Sequence, residues 1–314
     1  MKREFNVFAA CHLFGGVALA GAILLLAVPM NTRAQLGFTT LSVPGADGTY
    51  AQGIAGNDVV GYYTAGSVWQ GFLYNGSSYT TLSVPGSSAT FAYGISGNNI
   101  VGYYANGSGD QSFLFDGSSY TAFNVPGASY TYAFDVDGNN IVGFYSDNGS
   151  TYGNRGFLYD GSSFTTLSVP GAYYTLAYAI SGNNIVGSYY DGIHDQGFLC
   201  TGSNYTTLSV PGAIDTYAYG ISGNNIVGYY INTAAEAEGF LYNDSGYTTF
   251  SVPGAGWTEA YSISGNNIVG YYANGSSVQG FLATLAPEPS IMALLAIGAV
   301  TFLVNNRRRH AERA

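Results

Sequence analysis

Short runs in which large and small side chains alternate fill residues 35–284 of the chain. In one such run, Tyr217, Tyr219 and Ile221 alternate with Ala, Gly and Ser, which is the two-residue period of a β-strand. Gly-Asn-Asn and Asp-Gly-Ser-Ser segments separate the runs, and both tolerate the positive φ angles of tight hairpins. No helical period interrupts this region, so the pattern predicts an all-β body.

The body consists of six copies of one unit. A Val-Pro-Gly segment recurs at spacings of 41, 41, 44, 41 and 42 residues. Each unit contains four β-rich runs, here named strands A, B, C and D in chain order. Units of this length with four strands are typical of β-propeller blades. The sequence therefore predicts a six-bladed propeller with four strands per blade, and an open β-solenoid is the alternative. The prolines that mark the units are Pro44, Pro85, Pro126, Pro170, Pro211 and Pro253.

The first and last runs of the body predict how the ring closes. A lone D strand lies at Phe38–Val43, and a lone A-B-C set lies at Glu259–Leu282. If this N-terminal strand closes the last blade, the propeller exposes no open sheet edge. We therefore expect the two ends of the body to meet in one sheet.

The N-terminal residues predict a secretory signal peptide. Lys2 and Arg3 precede an apolar run at Leu13–Val28, and small residues then precede a cleavage site between Ala34 and Gln35. Residues 1–34 are therefore expected to form a signal helix that signal peptidase removes, and an uncleaved anchor helix is the alternative. Cleavage would leave one cysteine in the body, which excludes an intrachain disulfide.

The C-terminal residues 285–314 combine three features. Pro287-Glu288-Pro289 precedes an apolar run at Ser290–Val304, and an arginine cluster follows it. As a helix this run spans about 22 Å, which is shorter than a hydrocarbon core of about 30 Å. The arginines should remain on the cytoplasmic side. These arginines are Arg307, Arg308 and Arg309.

In this order the three features resemble the PEP-CTERM sorting signal of Gram-negative bacteria. The resemblance implies a short C-terminal transmembrane helix that anchors the protein transiently in the inner membrane. It also implies recognition by an exosortase, cleavage near Pro287-Glu288-Pro289, and release to the cell surface or the extracellular matrix. A plain membrane anchor is the alternative.

The repeats themselves resemble the HAF-type extracellular repeats and the related Val-Pro-Gly-Ala propeller repeats of bacteria. The resemblance covers residues 36–283 and rests on the Ile-Ser-Gly-Asn-Asn-Ile-Val-Gly and Gly-Phe-Leu segments. The chain departs from the His-Ala-Phe motif, because the His position holds Gln in four units, Arg155 in one and Glu238 in one. The resemblance therefore implies a fold and an extracellular location, but it assigns no role to a histidine.

The charge of the body excludes one class of partner. Only 8% of all residues are charged, against about 25% in an average protein. Residues 35–286 contain one Arg, no Lys, 12 Asp and 3 Glu, a formal charge of −14. Such a body cannot neutralise phosphates, so nucleic acid is not expected as a partner. The scarcity of charge also indicates that most strand positions are buried on both faces.

Residue types that perform catalysis or bind metals are few. His194 is the only His of the body, which argues against a catalytic triad and against zinc. Asp135–Asn139 lacks the closing Glu of a calcium loop. Cys200 occupies a strand position that other units fill with Tyr, so we expect a buried, inert thiol. We therefore expect no cofactor, no bound metal and no enzymatic activity. A polysaccharide lyase or hydrolase is the alternative, with Glu236, Glu238 and Glu259 as the available glutamates.

Differences between the units concentrate at one end of the predicted propeller. The A–B and C–D turns are nearly uniform, whereas the B–C loops and the D–A linkers differ from unit to unit. These two kinds of connection should emerge at the same end, here named the variable rim. Binding usually lies on loops that a rigid scaffold carries. The B–C loops comprise residues 64–70, 105–111, 146–155, 190–196, 231–238 and 273–279.

The expected ligand of the variable rim is a neutral glycan or exopolysaccharide. Trp69 and Trp257, the only tryptophans of the chain, belong to this rim and offer aromatic faces for stacking on sugar rings. The negative body would repel an acidic polymer. A purely structural surface protein without a ligand is the alternative. The other candidate binding residues are Arg155, His194, Asp195 and Glu238.

Overall fold

The structure is a computed structural model that describes residues 36–107, 109–147, 149–275 and 277–285. Within these ranges it contains 24 β-strands and one 3-10 helix, Thr151–Gly153. None of the described residues form a helix with the length and hydropathy of a membrane span. The predicted signal peptide with its cleavage site, the Pro-Glu-Pro motif, the predicted C-terminal helix and the arginine cluster lie outside the described residues.

The described strands form six consecutive sets of four, numbered in chain order. The first set contains β2 (Gly48–Ala55), β3 (Asp58–Ala65), β4 (Val68–Tyr74) and β5 (Tyr79–Leu82). The second contains β6 (Ala89–Ser96), β7 (Asn99–Asn106), β8 (Gly109–Phe115) and β9 (Tyr120–Phe123). The third contains β10 (Tyr130–Asp137), β11 (Asn140–Ser146), β12 (Arg155–Tyr159) and β13 (Phe164–Leu167).

The second half of the body repeats this order. The fourth set contains β14 (Tyr174–Ser181), β15 (Asn184–Tyr190), β16 (Asp195–Thr201) and β17 (Asn204–Leu208). The fifth contains β18 (Asp215–Ser222), β19 (Asn225–Ile231), β20 (Ala237–Asn243) and β21 (Gly246–Phe250). The sixth contains β22 (Trp257–Ser264), β23 (Asn267–Asn274) and β24 (Ser277–Leu285), and β1 (Leu36–Leu41) completes it.

Neighbouring strands of each set pair antiparallel, and four of the described sheets have four strands. The first two sets share one eight-stranded sheet, in which a single parallel bridge between Trp69 and Ala89 joins β4 to β6. The sixth set has the order β1-β24-β23-β22, with Leu36 opposite Leu285. The N-terminal strand therefore pairs with the last strand, as the lone D strand of the sequence predicts.

Successive sets pack face to face around a ring. The first strand of each set contacts strands of the preceding set, as β6 does with β2, β3 and β4. The ring returns to its start because β2 contacts β22, β23 and β24. Radially arranged antiparallel sheets of this kind are the β-propeller architecture, so the predicted all-β propeller is confirmed.

Both faces of the second strand in each set are buried. Ile100 packs in a cluster with Val60 of the first set, whereas its neighbour Val101 packs with Ala133 of the third set. Adjacent strand residues point to opposite faces, so the Ile-Val pair serves two different interfaces. This double burial explains why the strands contain so little charge.

A glycine of the second strand faces a fully buried phenylalanine of the third strand. Phe72 lies opposite Gly61, and a Cβ atom on Gly61 would come within 2.9 Å of the Phe72 ring and closer still to the Tyr50 carbonyl. Only glycine leaves room for the ring. The same contact recurs at Gly102–Phe113, Gly143–Phe157, Gly187–Phe198, Gly228–Phe240 and Gly270–Phe281.

The Val-Pro-Gly segments are type II turns that lead into the next set. In each turn the residue after Gly donates its N–H to the Val carbonyl at 3.0–3.1 Å, and the Gly has a φ of 79–82°. The Val N–H in turn donates to a buried Thr Oγ1 six residues later, at 3.0–3.1 Å. This hydrogen bond fixes each turn to the strand that follows it. The six threonines are Thr49, Thr90, Thr131, Thr175, Thr216 and Thr258.

An uninterrupted series of aromatic contacts encircles the ring. Eleven rings, mostly tyrosines, follow one another with centroids 4.1–5.4 Å apart and return to the first. Many of the tyrosines therefore belong to the packing of the propeller. The rings are Tyr50, Tyr62, Phe91, Tyr103, Tyr132, Phe144, Phe134, Tyr178, Tyr219, Tyr261 and Tyr271.

Deletion of residues 35–43 should destabilise the protein. It removes β1, which pairs with the edge of β24. It also removes Leu41 and Val43, which pack in the hydrophobic core of the first set. We expect a lower melting temperature and aggregation in size-exclusion chromatography. Addition of a synthetic peptide of residues 35–44 should partly restore the melting temperature. An unchanged melting temperature and solubility of the deletion variant would contradict closure through β1.

The Thr-to-turn hydrogen bond gives a second prediction. Thr216→Val keeps the shape of the side chain but leaves the buried Val210 N–H without an acceptor. This change should lower the free energy of unfolding by about 1–3 kcal/mol. Thr216→Ser keeps the hydroxyl and is the matched control, with a smaller loss. Chemical denaturation measures both, and equal losses would show that the methyl group rather than the hydroxyl matters.

Candidate ligand-binding rim

Backbone hydrogen bonds bring the D–A linkers and the B–C loops to the same end of each set. In every set a linker N–H donates to a carbonyl at the end of the second strand, at 2.7–2.9 Å. Ser88 to Ala105 and Ile214 to Ile231 are examples, each at 2.8 Å. The two variable connections therefore lie together, as the sequence analysis expected.

Several candidate residues lie in strands rather than in loops. A tight turn with Gly66 at a φ of 60° allows β4 to begin early, so Trp69 is part of that strand. Arg155 and Asp195 are the first residues of their strands, and so is Trp257. Variation between the units predicted a loop position for Trp69, and this prediction is wrong. The strand begins earlier because a glycine with positive φ permits a shorter connection.

Trp69 belongs to a packed group of aromatic rings. Its centroid lies 5.7–5.8 Å from those of Tyr50, Tyr62 and Phe91. About a third of the side chain, 37%, is exposed, and the backbone bridges to Ala89 of the second set. Trp69 therefore covers the junction between the first two strand sets.

Trp257 lines a groove of about 240 Å³ beside the fifth and sixth sets. Glu236 and Glu259 line the same groove, although 23 residues separate them in the chain. The indole contacts one ring, that of Tyr271, edge-on at a centroid distance of 5.6 Å. This arrangement, here named the Trp257 groove, combines an aromatic face with two carboxylates. The other lining residues are Ile231, Ala235, Ala237 and Gly256.

Glu259 is held in place from within the propeller. Its Oε2 accepts a hydrogen bond of 2.8 Å from the Tyr261 hydroxyl, and that hydroxyl lies 2.7 Å from the hydroxyl of Tyr271. Burial raises the pKa of Glu259 above its usual value, and the hydrogen bond to Tyr261 opposes the increase. The groove therefore contains a carboxyl group that is harder to ionise than one at the surface.

A loop that Glu238 supports also lines the groove. Glu238 accepts a hydrogen bond of 2.8 Å from Asn232 Nδ2 and one of 3.1 Å from the Tyr230 hydroxyl. Ala235 in this loop has a φ of 63°, the one left-handed non-glycine backbone among the described residues. Glu238, a predicted binding residue, thus positions the loop that contributes Glu236 to the groove.

Asp195 joins the fourth set to the fifth. Its Oδ1 accepts a 2.6 Å hydrogen bond from Tyr174, and its Oδ2 accepts a 2.9 Å hydrogen bond from Tyr217. Burial raises the pKa of Asp195, and the hydrogen bonds from the two tyrosines oppose the increase. His194 lies beside this network, with Nδ1 3.6 Å from Asp215 Oδ1. Asp195 therefore connects strands, while His194 is the more exposed member of the group.

Arg155 has a partner from its own loop. Its Nη1 lies 3.5 Å from Asp147 Oδ2, and both side chains are half-exposed. Arg155, a predicted binding residue, therefore forms an ion pair within its own set. The longer third B–C connection supplies the acidic partner, and an exposed ion pair of this kind contributes little to stability.

Exposed tyrosines that are not among the predicted binding residues form a surface near the fourth set. Tyr152 and Tyr173 are 67% and 59% exposed, and both rings lie near Tyr190, at centroid distances of 6.4 and 5.8 Å. Ile193, 76% exposed, follows in the next loop. The available signal was Tyr173 itself, at a linker position that the other sets fill with Asp, Ser, Ile or Gly.

Metal-binding and nucleophilic groups are scarce in the described part of the chain. No group of three or more His, Cys, Asp or Glu side chains there is placed to hold a metal ion. The Cys200 thiol is buried, donates a hydrogen bond of 3.3 Å to the Gly202 carbonyl, and has a pKa that burial raises. A thiol in this environment is a poor nucleophile.

Comparison with known proteins finds similar folds among solved structures only. No protein-family model matches the chain, and no curated protein matches it. The β-propeller domain of the Trilobed protease from Pyrococcus furiosus has a TM-score of 0.49 at 9% identity, over 77% of this chain and 97% of that one. A catalytically inactive virginiamycin B lyase from Staphylococcus aureus with quinupristin has a TM-score of 0.45 at 14% identity, over 80% and 100%.

A sugar-binding protein is also among the similar structures. Aleuria aurantia lectin in complex with a fucosylated disaccharide has a TM-score of 0.40 at 17% identity, over 69% of this chain and 78% of the lectin. At these identities no residue of a binding site or an active site is transferred to this chain from any of the three proteins.

Proposed function

We propose that this chain is an exported six-bladed propeller whose variable rim binds a neutral glycan. After processing, it serves as a non-enzymatic component of the cell surface or the extracellular matrix. The observation that carries the binding function is the Trp257 groove, where one indole and two carboxylates meet in about 240 Å³. An aromatic face with a few placed polar groups is the usual composition of a small-ligand site.

The six-bladed architecture is supported by the repetition of the core. The Gly–Phe contact, the Val-Pro-Gly turn and its Thr hydrogen bond each occur six times. Six hydrophobic clusters lie at the junctions of successive sets in the described residues, including the junction of the sixth set with the first. On this proposal the first two sets are two blades that the Trp69–Ala89 bridge joins.

Export is supported by the two terminal signals of the sequence. Signal peptidase cleaves between Ala34 and Gln35, and an exosortase then processes the tail at Pro287-Glu288-Pro289. The apolar run behind this motif holds the chain in the inner membrane until that second cleavage. The mature propeller is thereby delivered outside the inner membrane.

The charge of the body selects neutral glycans over acidic ones. Residues 35–286 contain twelve Asp and three Glu but only one Arg, and that Arg is already paired with Asp147. An acidic polymer would be repelled unless divalent cations bridged it. A neutral sugar avoids this repulsion, and its hydroxyl groups can donate to Glu236 and Glu259.

A hydrolase is the second candidate function, because the same two glutamates share the groove. Glycoside hydrolysis uses a pair of carboxyl groups, one of them with a raised pKa that suits a general acid. Burial gives Glu259 a pKa shifted in this direction. Release of reducing ends from neutral glycans, lost in both Glu236→Gln and Glu259→Gln, would favour the hydrolase over the binding module.

Substitution of the two tryptophans should separate binding from stability. Trp257→Ala removes the aromatic face of the groove and should weaken neutral-glycan binding at least about fivefold, or about 1 kcal/mol. Trp69→Ala should instead lower the melting temperature, because that indole packs on three rings.

The measurement is calorimetric titration with soluble dextran, xylan and β-glucan fragments, with melting curves for each variant. Alginate, an acidic polymer, is the control ligand and should bind only with added calcium. Wild-type affinity in Trp257→Ala would contradict the role of the groove. A loss confined to Trp69→Ala would move the site to the first two sets.

Processing of the tail is tested in the bacterial host. Mass spectrometry of the exported protein should detect peptides of the body but none that contain Arg307, Arg308 or Arg309. Replacement of Pro287-Glu288-Pro289 by three alanines should retain the tail in the membrane fraction. Intact tails in mature surface material would show that the segment is only an anchor.

A further inference from the structure

The first strands of the six sets each contain a β-bulge at the same position. The pairing register skips one residue after a buried alanine, as it does between Ala51 and Gly53. A bulge redirects the side chain of the skipped residue. The six skipped residues line a common cavity at the centre of the ring, and they are Gln52, Tyr93, Phe134, Tyr178, Tyr219 and Tyr261.

Two polar residues break the pattern of this central cavity. Gln52 stands where the other five sets have an aromatic ring, and it is only 4% exposed. Asp135 stands where the other sets have Gly, Ala or Ser. Both line the cavity, whose volume of about 10 Å³ is the size that one water molecule or one small ion needs.

Neither of the two polar residues has a cationic partner. Gln52 Oε1 is buried and has no hydrogen-bond donor among the described residues. The Asp135 carboxylate accepts hydrogen bonds from the backbone N–H groups of Ile180, at 2.9 Å, and of Val136, but no positive charge lies beside it. Arg155, the only Arg or Lys between residues 35 and 286, is paired with Asp147 at the surface. An acceptor without a donor and a buried carboxylate without a counterion line the same small cavity, and both favour a positive occupant.

We propose that the central cavity binds one monovalent metal cation, Na⁺ or K⁺, through the Asp135 carboxylate and the Gln52 amide oxygen. The Ser262 side chain and the aromatic rings that line the cavity add oxygen and π-face contacts. A divalent ion is disfavoured, because Ca²⁺ takes six to eight oxygen ligands, usually including several carboxylates, and this cavity has one carboxylate. The site is distinct from the variable rim and does not depend on the glycan function.

The experiment compares melting temperatures in NaCl, KCl and choline chloride at equal ionic strength and pH 8. Choline is too large for the cavity, so any difference from it is specific to small cations. We expect the melting temperature of the wild type to rise by about 5 °C between roughly 2 and 200 mM NaCl or KCl, relative to choline.

Matched variants assign the effect to the cavity. Asp135→Asn keeps an oxygen for the Ile180 N–H but removes the charge, and it should abolish the difference between salts. Gln52→Leu should reduce it. Asp160→Asn is the control and should retain it, since Asn75 already makes the same exposed turn hydrogen bonds in the first set.

Equal melting temperatures of the wild type in all three salts would overturn the proposal. They would indicate that the cavity holds a water molecule instead of a cation. An ion-specific effect that survives Asp135→Asn would also overturn it. Broadening of the sodium NMR line by the wild type, absent with Asp135→Asn, is a second readout that does not depend on unfolding.

Discussion

The propeller depends on one contact, a phenylalanine ring packed on a glycine, that recurs in each of its six strand sets. Each ring is fully buried, and each glycine sits so close to a carbonyl of the first strand that no Cβ atom would fit. Truncation of a buried Phe costs about 3–5 kcal/mol in other proteins. The contact involves the first three strands of each set, because the glycine of the second strand lies against a carbonyl of the first strand and the ring of the third.

Burial of both sheet faces requires a closed ring. A set with two exposed apolar faces and an exposed edge would be prone to aggregation, so each set must be covered by its neighbours. The pairing of β1 with β24 achieves this with a strand from the other end of the body. The residues that build the core then leave the variable rim free to differ from set to set, and the Trp257 groove and the exposed tyrosines lie there.

The residues at the centre of the ring differ in composition from those at the rim. Bulges direct one residue of each set into the central cavity, and five of these six residues are aromatic. Gln52 and Asp135 are the exceptions, since Gln52 leaves a buried oxygen without a hydrogen-bond donor and Asp135 is a buried carboxylate without a counterion. Buried polar groups in proteins normally have a partner, and a bound cation would supply one to both residues.

The sequence by itself determined the strands, the repeat and the turns. Alternation, glycine positions and Val-Pro-Gly spacing are local properties, so neighbouring residues along the chain are enough to predict them. The pairing of the terminal strand also followed from the count of strand types. The hydrogen bond that each Val-Pro-Gly turn donates to a buried threonine became clear only in the structure.

Only the tertiary structure decided which polar and aromatic residues act together. The sequence predicts the same binding role for Trp69 and Trp257. In the structure Trp69 is packed between two sets, whereas Trp257 lines a groove. Glu236 and Glu259 share that groove, and Gln52 and Asp135 share the central cavity, although each pair comes from different sets. The physical reason is that these groupings depend on how the sets pack around the ring, and no local pattern in the chain encodes that packing.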